Sequence, residues 1–255
     1  MSGMKNYWIP AVVFSAVLAG CSSSQEEAEQ VIEEEEKPPE AELVEGDNRI
    51  IELNEVITVQ GDPIIQNPDN IEANVNLNNR LPVDYEPADL VVPDVRRPYE
   101  GIQERSYLRE EAADALEQLF YEAELDGHIL YANSGFRSFE RQYELFKNQQ
   151  IQSGLDQTLV AQPGFSEHQT GLAMDVSSSS VNFGLTETFG DTEEGIWVEE
   201  NAHLFGFIVR YPEGKQDITG YSYEPWHLRY VGTIANEIYE QGVSYEEFIE
   251  NVKKM

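Results

Sequence analysis

Two of the four histidines in this 255-residue chain stand in company suited to chemistry. The first lies in the run Pro163-Gly164-Phe165-Ser166-Glu167-His168-Gln169-Thr170-Gly171-Leu172-Ala173-Met174-Asp175. If Leu172 to Val176 is a strand, Leu172, Met174 and Val176 face a core while Ala173 and Asp175 face the other way. Gly171 lets the backbone turn before that strand, so His168 comes back beside Asp175, and the small Ala173 leaves room there. The second histidine lies in Tyr223-Glu224-Pro225-Trp226-His227-Leu228-Arg229-Tyr230. Pro225 suits the second position of a β-turn, which would put Glu224 and His227 at its two ends, one ligand and one base facing the same point. Two imidazoles and a carboxylate make the three-ligand set of a catalytic zinc site. Such a metal brings the pKa of its water towards ~7 and polarises a carbonyl, and a carboxylate outside the ligand set can take the water's proton. Each spacing is common by itself; the two together, with tight glycine and proline punctuation, point to one site.

The elements that must carry these residues read as α+β. Leu108, Ala112, Ala115, Leu116, Leu119, Phe120 and Ala123 recur at helical spacing, and Asp126-Gly127 closes the run. His128 to Ser134 reads as a strand. Ser138 is placed to cap a helix whose buried stripe would be Phe139, Tyr143 and Phe146. Thr192 to Phe205 reads as helix with Gly206 as its stop, and Phe207 to Tyr211 as a strand. Two short helices close the chain, the second opened by the capping box Ser244-Tyr245-Glu246-Glu247. Helices and short strands mix without a regular βαβ period, which favours α+β over a parallel α/β sheet. Upstream, Ile50 to Leu53 and Val56 to Val59 look like short strands, and Pro82, Pro87, Pro93 and Pro98 exclude long helices.

Composition excludes several partners. The chain carries 48 acidic against 16 basic residues, a formal charge of −32, so nucleic acid is not expected and neither is electrostatic docking on anionic headgroups. Cysteine occurs once, which excludes an internal disulfide framework and any cysteine-built metal knuckle. That cysteine ends an apolar run from Tyr7 to Ala19, too short to span a bilayer and preceded by Lys5. Leu18-Ala19-Gly20-Cys21 resembles the bacterial lipobox, whose cysteine is lipidated and becomes the new N-terminus. Residues 1–20 are therefore expected to be a lipoprotein signal peptide and Cys21 the lipidation site, giving an extracytoplasmic protein held to the membrane by acyl chains alone. Residues 21–48 are expected to be a disordered tether, because Ser22 to Asp47 holds eleven acidic residues and one lysine. Residues 49–74 form a lead-in without an assigned role, and residues 75–255 the folded domain.

Three segments carry a family resemblance: Ser134-Gly135-Phe136-Arg137-Ser138, Ser166-Glu167-His168 through Asp175, and Glu224-Pro225-Trp226-His227. In that order they resemble the signatures of the VanY-type zinc D-alanyl-D-alanine carboxypeptidases, within the M15 peptidases that also include L,D-carboxypeptidases of peptidoglycan turnover. The likeness runs from about Val75 to about Tyr230. It implies a single compact domain of the Hedgehog/D,D-peptidase-like fold, a small antiparallel sheet flanked by helices. It implies one Zn2+ per chain on His168, Asp175 and His227, with Glu224 as general base. It also implies that Arg137, Gln142, Ser166 and Tyr211 line the substrate pocket. The physical reading agrees for Arg137, whose planar fork suits a free C-terminal carboxylate just ahead of a helix N-terminus. A surface ion pair is the plainer role for it. Trp226 and Phe165 read as packing, and His203 as a helix-end contact.

Removal of the C-terminal D-alanine from peptidoglycan stem peptides is the function so implied, by a monomeric enzyme. The alternatives are L,D cleavage of tetrapeptide stems, endopeptidase cleavage within the stem, and a non-catalytic wall-binding lipoprotein. Glu224, of no use to a pure binder, speaks against the last.

Overall fold

The computed structural model describes residues 51–154 and 160–254. The expected signal peptide, Cys21 and the acidic tether lie outside the described residues. The architecture is α+β. Its centre is a four-stranded antiparallel sheet of β5 (Tyr131–Ser134), β6 (Ala173–Ser177), β8 (Glu224–Tyr230) and β7 (Phe207–Tyr211), in that order. Two small ribbons precede it, β1 (Val56–Val59) with β2 (Asp62–Ile65) and β3 (Leu90–Val91) with β4 (Leu108–Arg109). The helices are α1 (Glu110–Leu125), α2 (Phe139–Ser153), α3 (Glu193–Asn201), the one-turn α4 (Gln216–Thr219), α5 (Ile234–Gln241) and α6 (Tyr245–Val252).

One face of the sheet is dry. Ala112, Leu116, Leu119, Phe120 and Ala123 of α1 pack against Leu172, Met174, Val176 and Leu228 in the main core. Removing a side chain of that kind, as in Leu119→Ala, costs about 2–5 kcal/mol through lost transfer energy and the cavity left behind. Strand alternation sends the intervening residues, Ala173, Asp175, His227 and Arg229, to the opposite face. That face carries the chemistry. A second cluster joins Ile208 to Ile234, Ile238, Phe248 and Ile249 of the two terminal helices. Residues of the lead-in are folded against both: Ile71 packs on the main core, and Ile51 and Leu53 on the terminal-helix cluster.

Local signals explain most element ends. Ser138 Oγ accepts from Arg141 N, Thr192 Oγ1 from Gly195 N, and Ser244 and Glu247 form the reciprocal capping box of α6. Gly206 takes φ +78° where the tight turn Ala202–Phe205 after α3 stops.

Four expectations need correction. Leu108 belongs to β4 rather than to α1, which starts two residues later. The strand expected from His128 starts at Tyr131. Ile51 to Leu53 is not a strand, and β1 pairs instead with β2 across the Gln60-Gly61 turn. On α2 the apolar stripe is not buried: Tyr143 is 50% exposed, and the helix's buried residue is Gln142. Its inward side borders a polar cleft, so a polar side chain occupies the buried position.

Candidate metal and substrate site

His168, Asp175 and His227 converge, each buried, with one potential ligand atom apiece lying within 4.8 Å of the others. His168 sits on the tight turn Glu167–Thr170, ended by Gly171 at φ +66°. A side chain at Gly171 would meet Leu90 and Arg109, so the turn requires glycine both for its backbone angle and for space. Gln169 pins the turn by donating to the carbonyls of Pro82 and Tyr85. Asp175 and His227 are direct cross-strand partners on β6 and β8.

The two rings are oriented from behind. His168 Nδ1 lies 2.8 Å from the Gly135 carbonyl, which fixes the tautomer as Nδ1–H and leaves Nε2, 3.4 Å from Asp175 Oδ2, for a cation. That carbonyl is close because Gly135 has no side chain: a Cβ there would fall on the Tyr107 carbonyl and the Met174 methyl. His227 turns Nδ1 to Asp175 Oδ1 at 2.9 Å and Nε2 to Glu167 Oε2 at 3.4 Å. The rings lie nearly perpendicular, with centroids 4.9 Å apart.

Glu224 Oε2 is 3.9 Å from His227 Nδ1, beside the cluster. A β-turn centred on Pro225 does not bring them together; both lie in β8. Residues three apart in a regular strand would face opposite ways. Here the ladder is irregular: Val209 pairs with Leu228 but Tyr211 with Glu224, so two steps along β7 face four along β8. The bulge accommodates Pro225, which lacks a ladder donor, and swings Glu224 to the side of His227.

Arg137 projects into the same cleft. It donates to Gln142 Oε1 at 2.8 Å and Ser134 Oγ at 3.3 Å, and forms no ion pair with a carboxylate among the described residues. Gln142 in turn donates to the Ala161 carbonyl, so it holds Arg137 from a fixed point. Ser166, Tyr211, Tyr221 and Trp226 complete a cleft of about 140 Å³. Tyr211 lies 5.0 Å from the His227 ring and stacks on Tyr221. Trp226 is half-buried, packing on the main core as well as lining the cleft. A larger hollow of about 580 Å³ around Glu111, Asp114 and His203 gathers no comparable ligand set, and His203 itself stacks on Tyr239.

Charge in the cleft is set by burial and by neighbours. Burial pushes His168 below its ordinary value. Burial works in the same direction on His227, but its hydrogen bonds to Asp175 and Glu167 outweigh it and push the ring up to about 9. Burial alone would raise Asp175; His168 and His227 hold it well below the usual carboxylate range. Burial raises Glu224 to about 7, only partly offset by His227. A carboxyl poised near neutrality is suited to moving a proton.

Sequence reasoning missed Glu167. It is fully buried, accepts from Arg210 Nε at 2.7 Å and Arg229 Nη1 at 2.9 Å, and these guanidiniums hold its carboxyl far below the usual range against burial. Arg229 also donates to the carbonyls of Ile71 and Ala73, and Arg210 to Asn74 and Glu246. A signal existed: Arg210 interrupts an otherwise apolar and aromatic strand and Arg229 stands between Leu228 and Tyr230, and arginine at a buried position demands an anion.

Residues 105–233 match the family model described as VanY, D-alanyl-D-alanine carboxypeptidase. Over 205 residues the chain is 50% identical to YodJ of Bacillus subtilis (strain 168), a carboxypeptidase by name, covering 79% of this chain and 75% of that protein. The chain belongs to the VanY carboxypeptidase family. Among solved structures, an LdcB L,D-carboxypeptidase is 50% identical with a TM-score of 0.76, covering 78% of this chain and 94% of that one. A vancomycin-resistance D,D-pentapeptidase VanY, solved with Zn(II), is 33% identical with a TM-score of 0.55, covering 69% and 96%.

Proposed function

We propose that this protein is a zinc carboxypeptidase that removes the C-terminal D-alanine from peptidoglycan stem peptides, cutting the D-Ala-D-Ala bond. The observation that carries this reading is the shared cleft: a half-buried arginine with no carboxylate partner among the described residues opens beside a His-Asp-His cluster and a carboxyl poised near neutrality. The donor set fits zinc, with one imidazole held through its far nitrogen by Gly135 and a carboxylate already ionised between the rings. His168, Asp175 and His227 would hold the ion. When bound, it supplies Lewis acidity towards the scissile carbonyl and acidifies water at neutral pH.

The remaining residues do the recognising and the proton transfer. Arg137 receives the free carboxylate of the terminal residue in a two-pronged hydrogen bond, held by Gln142 so that little order is lost on binding. Ser166 and Tyr211 shape the space around that residue. Glu224 takes the proton of the attacking water and returns it to the departing amine.

A second reading, L,D cleavage of tetrapeptide stems, is favoured by one observation, the 50% identity to the LdcB L,D-carboxypeptidase. Both activities release D-alanine. Incubating the protein with purified pentapeptide and tetrapeptide muropeptides, followed by mass spectrometry, separates them. Loss of one D-alanine from pentapeptide stems supports the first reading, conversion of tetrapeptide to tripeptide the second, and no terminal loss from either contradicts both. We also propose that Cys21 is lipidated and tethers a monomeric enzyme outside the membrane, on the strength of its place at the end of the apolar leader. A Cys21→Ser variant should lose metabolic lipid label and membrane fractionation; an unlabelled wild type would contradict the anchor.

A further inference from the structure

Glu167 has more charge-assisted partners than a structural carboxylate at a turn requires. One oxygen takes the two guanidiniums of Arg210 and Arg229, and the other faces Nε2 of His227 at 3.4 Å, at the long end of hydrogen-bond range. All four side chains are essentially inaccessible to water. The far end of Arg210 is tied to Asn74 and Glu246 and that of Arg229 to the carbonyls of Ile71 and Ala73, all outside the 105–233 family match. His227 can offer the cleft only one nitrogen, and Nδ1 is the one turned towards Asp175 and Glu224. Nε2 must then carry the proton, and only an acceptor behind the ring makes that tautomer and that orientation the stable one.

We propose that Glu167 is a positioning residue for the metal centre: it accepts the Nε2–H of His227, fixing the ring with Nδ1 in the cleft, while Arg210 and Arg229 hold it there as a permanent anion. Metal affinity is thereby coupled to residues at both ends of the fold, Asn74 before the family match and Glu246 in α6. This rests on the assignment of His227 as a zinc ligand.

The test is zinc affinity, read by competition with a colorimetric chelator on the full chain, alongside melting temperature. Wild type should bind one equivalent. Glu167→Gln, which keeps the shape but loses the charge, should weaken zinc about 10- to 100-fold. Leu119→Ala, in the core beneath α1 and remote from this cluster, supplies the stability loss alone and should leave zinc affinity unchanged. Wild-type affinity in Glu167→Gln, or an equal weakening in Leu119→Ala, would overturn the proposal while leaving the zinc assignment intact. Absence of zinc from wild type would overturn both. Histidine-selective 15N spectra of the zinc-loaded wild type decide the matter even if Glu167→Gln does not fold. A protonated, solvent-protected Nε2 on His227 is expected; metal at Nε2, or a freely exchanging proton there, would overturn it.

Discussion

Two buried carboxylates, Asp175 and Glu167, flank the same imidazole and have opposite uses. Asp175 is held ionised between two imidazoles, whose facing nitrogens a cation can take. Glu167 is held ionised by two guanidiniums that never give up theirs. The first arrangement leaves negative charge available to a metal; the second is closed, and its charge is used to aim a ring. A site that must take up a cation needs both: an anion that can be re-partnered, and one that cannot, to keep the geometry while the first changes partner.

The contrast can be broken from either side. The largest effect is expected from the open side. Chelating the metal, or changing His168 or His227 to Ala, should abolish turnover, and adding zinc back should restore only the chelated wild type. Retained activity in either alanine variant would end the distinction. Glu224→Gln should come next, with turnover lowered about 10²- to 10⁴-fold while zinc stays bound, because an amide cannot accept the water's proton; steady-state rates with metal analysis check this. On the closed side, Glu167→Ala leaves buried Arg229 without its carboxylate and Arg210 with Glu246 alone, and should cost about 3–5 kcal/mol of stability by denaturant titration. Arg137→Ala should cost about 2–4 kcal/mol in kcat/KM with little change in stability, since its side chain forms no ion pair among the described residues. Arg137→Lys should recover only part, because an ammonium lacks the fork. The smallest effect is at the rim: Ser244→Ala removes the α6 cap beside Glu246 and should cost about 1 kcal/mol.

A pH profile sharpens the comparison further. Burial places Glu224 at about 7 without a metal, and a base works only when ionised, so kcat/KM should fall on the acid side. A cation on the adjacent ligands favours the ionised form, so the midpoint should lie at or below about 7. Glu224→Gln should remove that limb.

What was legible in the sequence followed strict periodicity. The alternation of Leu172, Met174 and Val176 against Asp175 placed one candidate ligand on the polar face of β6, and Gly171 marked the turn that returns His168. Glu224 and His227 were recognisable as neighbours, but the geometry was not, because a bulge depends on the register of β7, a strand remote in sequence. The inward face of α2 misled for a related reason. Phe139, Tyr143 and Phe146 have the spacing of a core stripe, yet α2 borders a cleft where Gln142 is the buried residue. The Glu167 cluster was the least visible, since its partners lie at positions 74, 210, 229 and 246 and meet only after folding.

The central claim is that Arg137 reads a free C-terminal carboxylate beside the metal ligands. Release of D-alanine from a stem peptide with a free C-terminus and from its C-terminal amide, followed by mass spectrometry for wild type and Arg137→Ala, tests it most directly. Wild type should strongly prefer the free acid, and Arg137→Ala should lose most of that preference. Equal sensitivity to amidation in both proteins would show that Arg137 does not read the carboxylate, and the cleft would then be that of an endopeptidase.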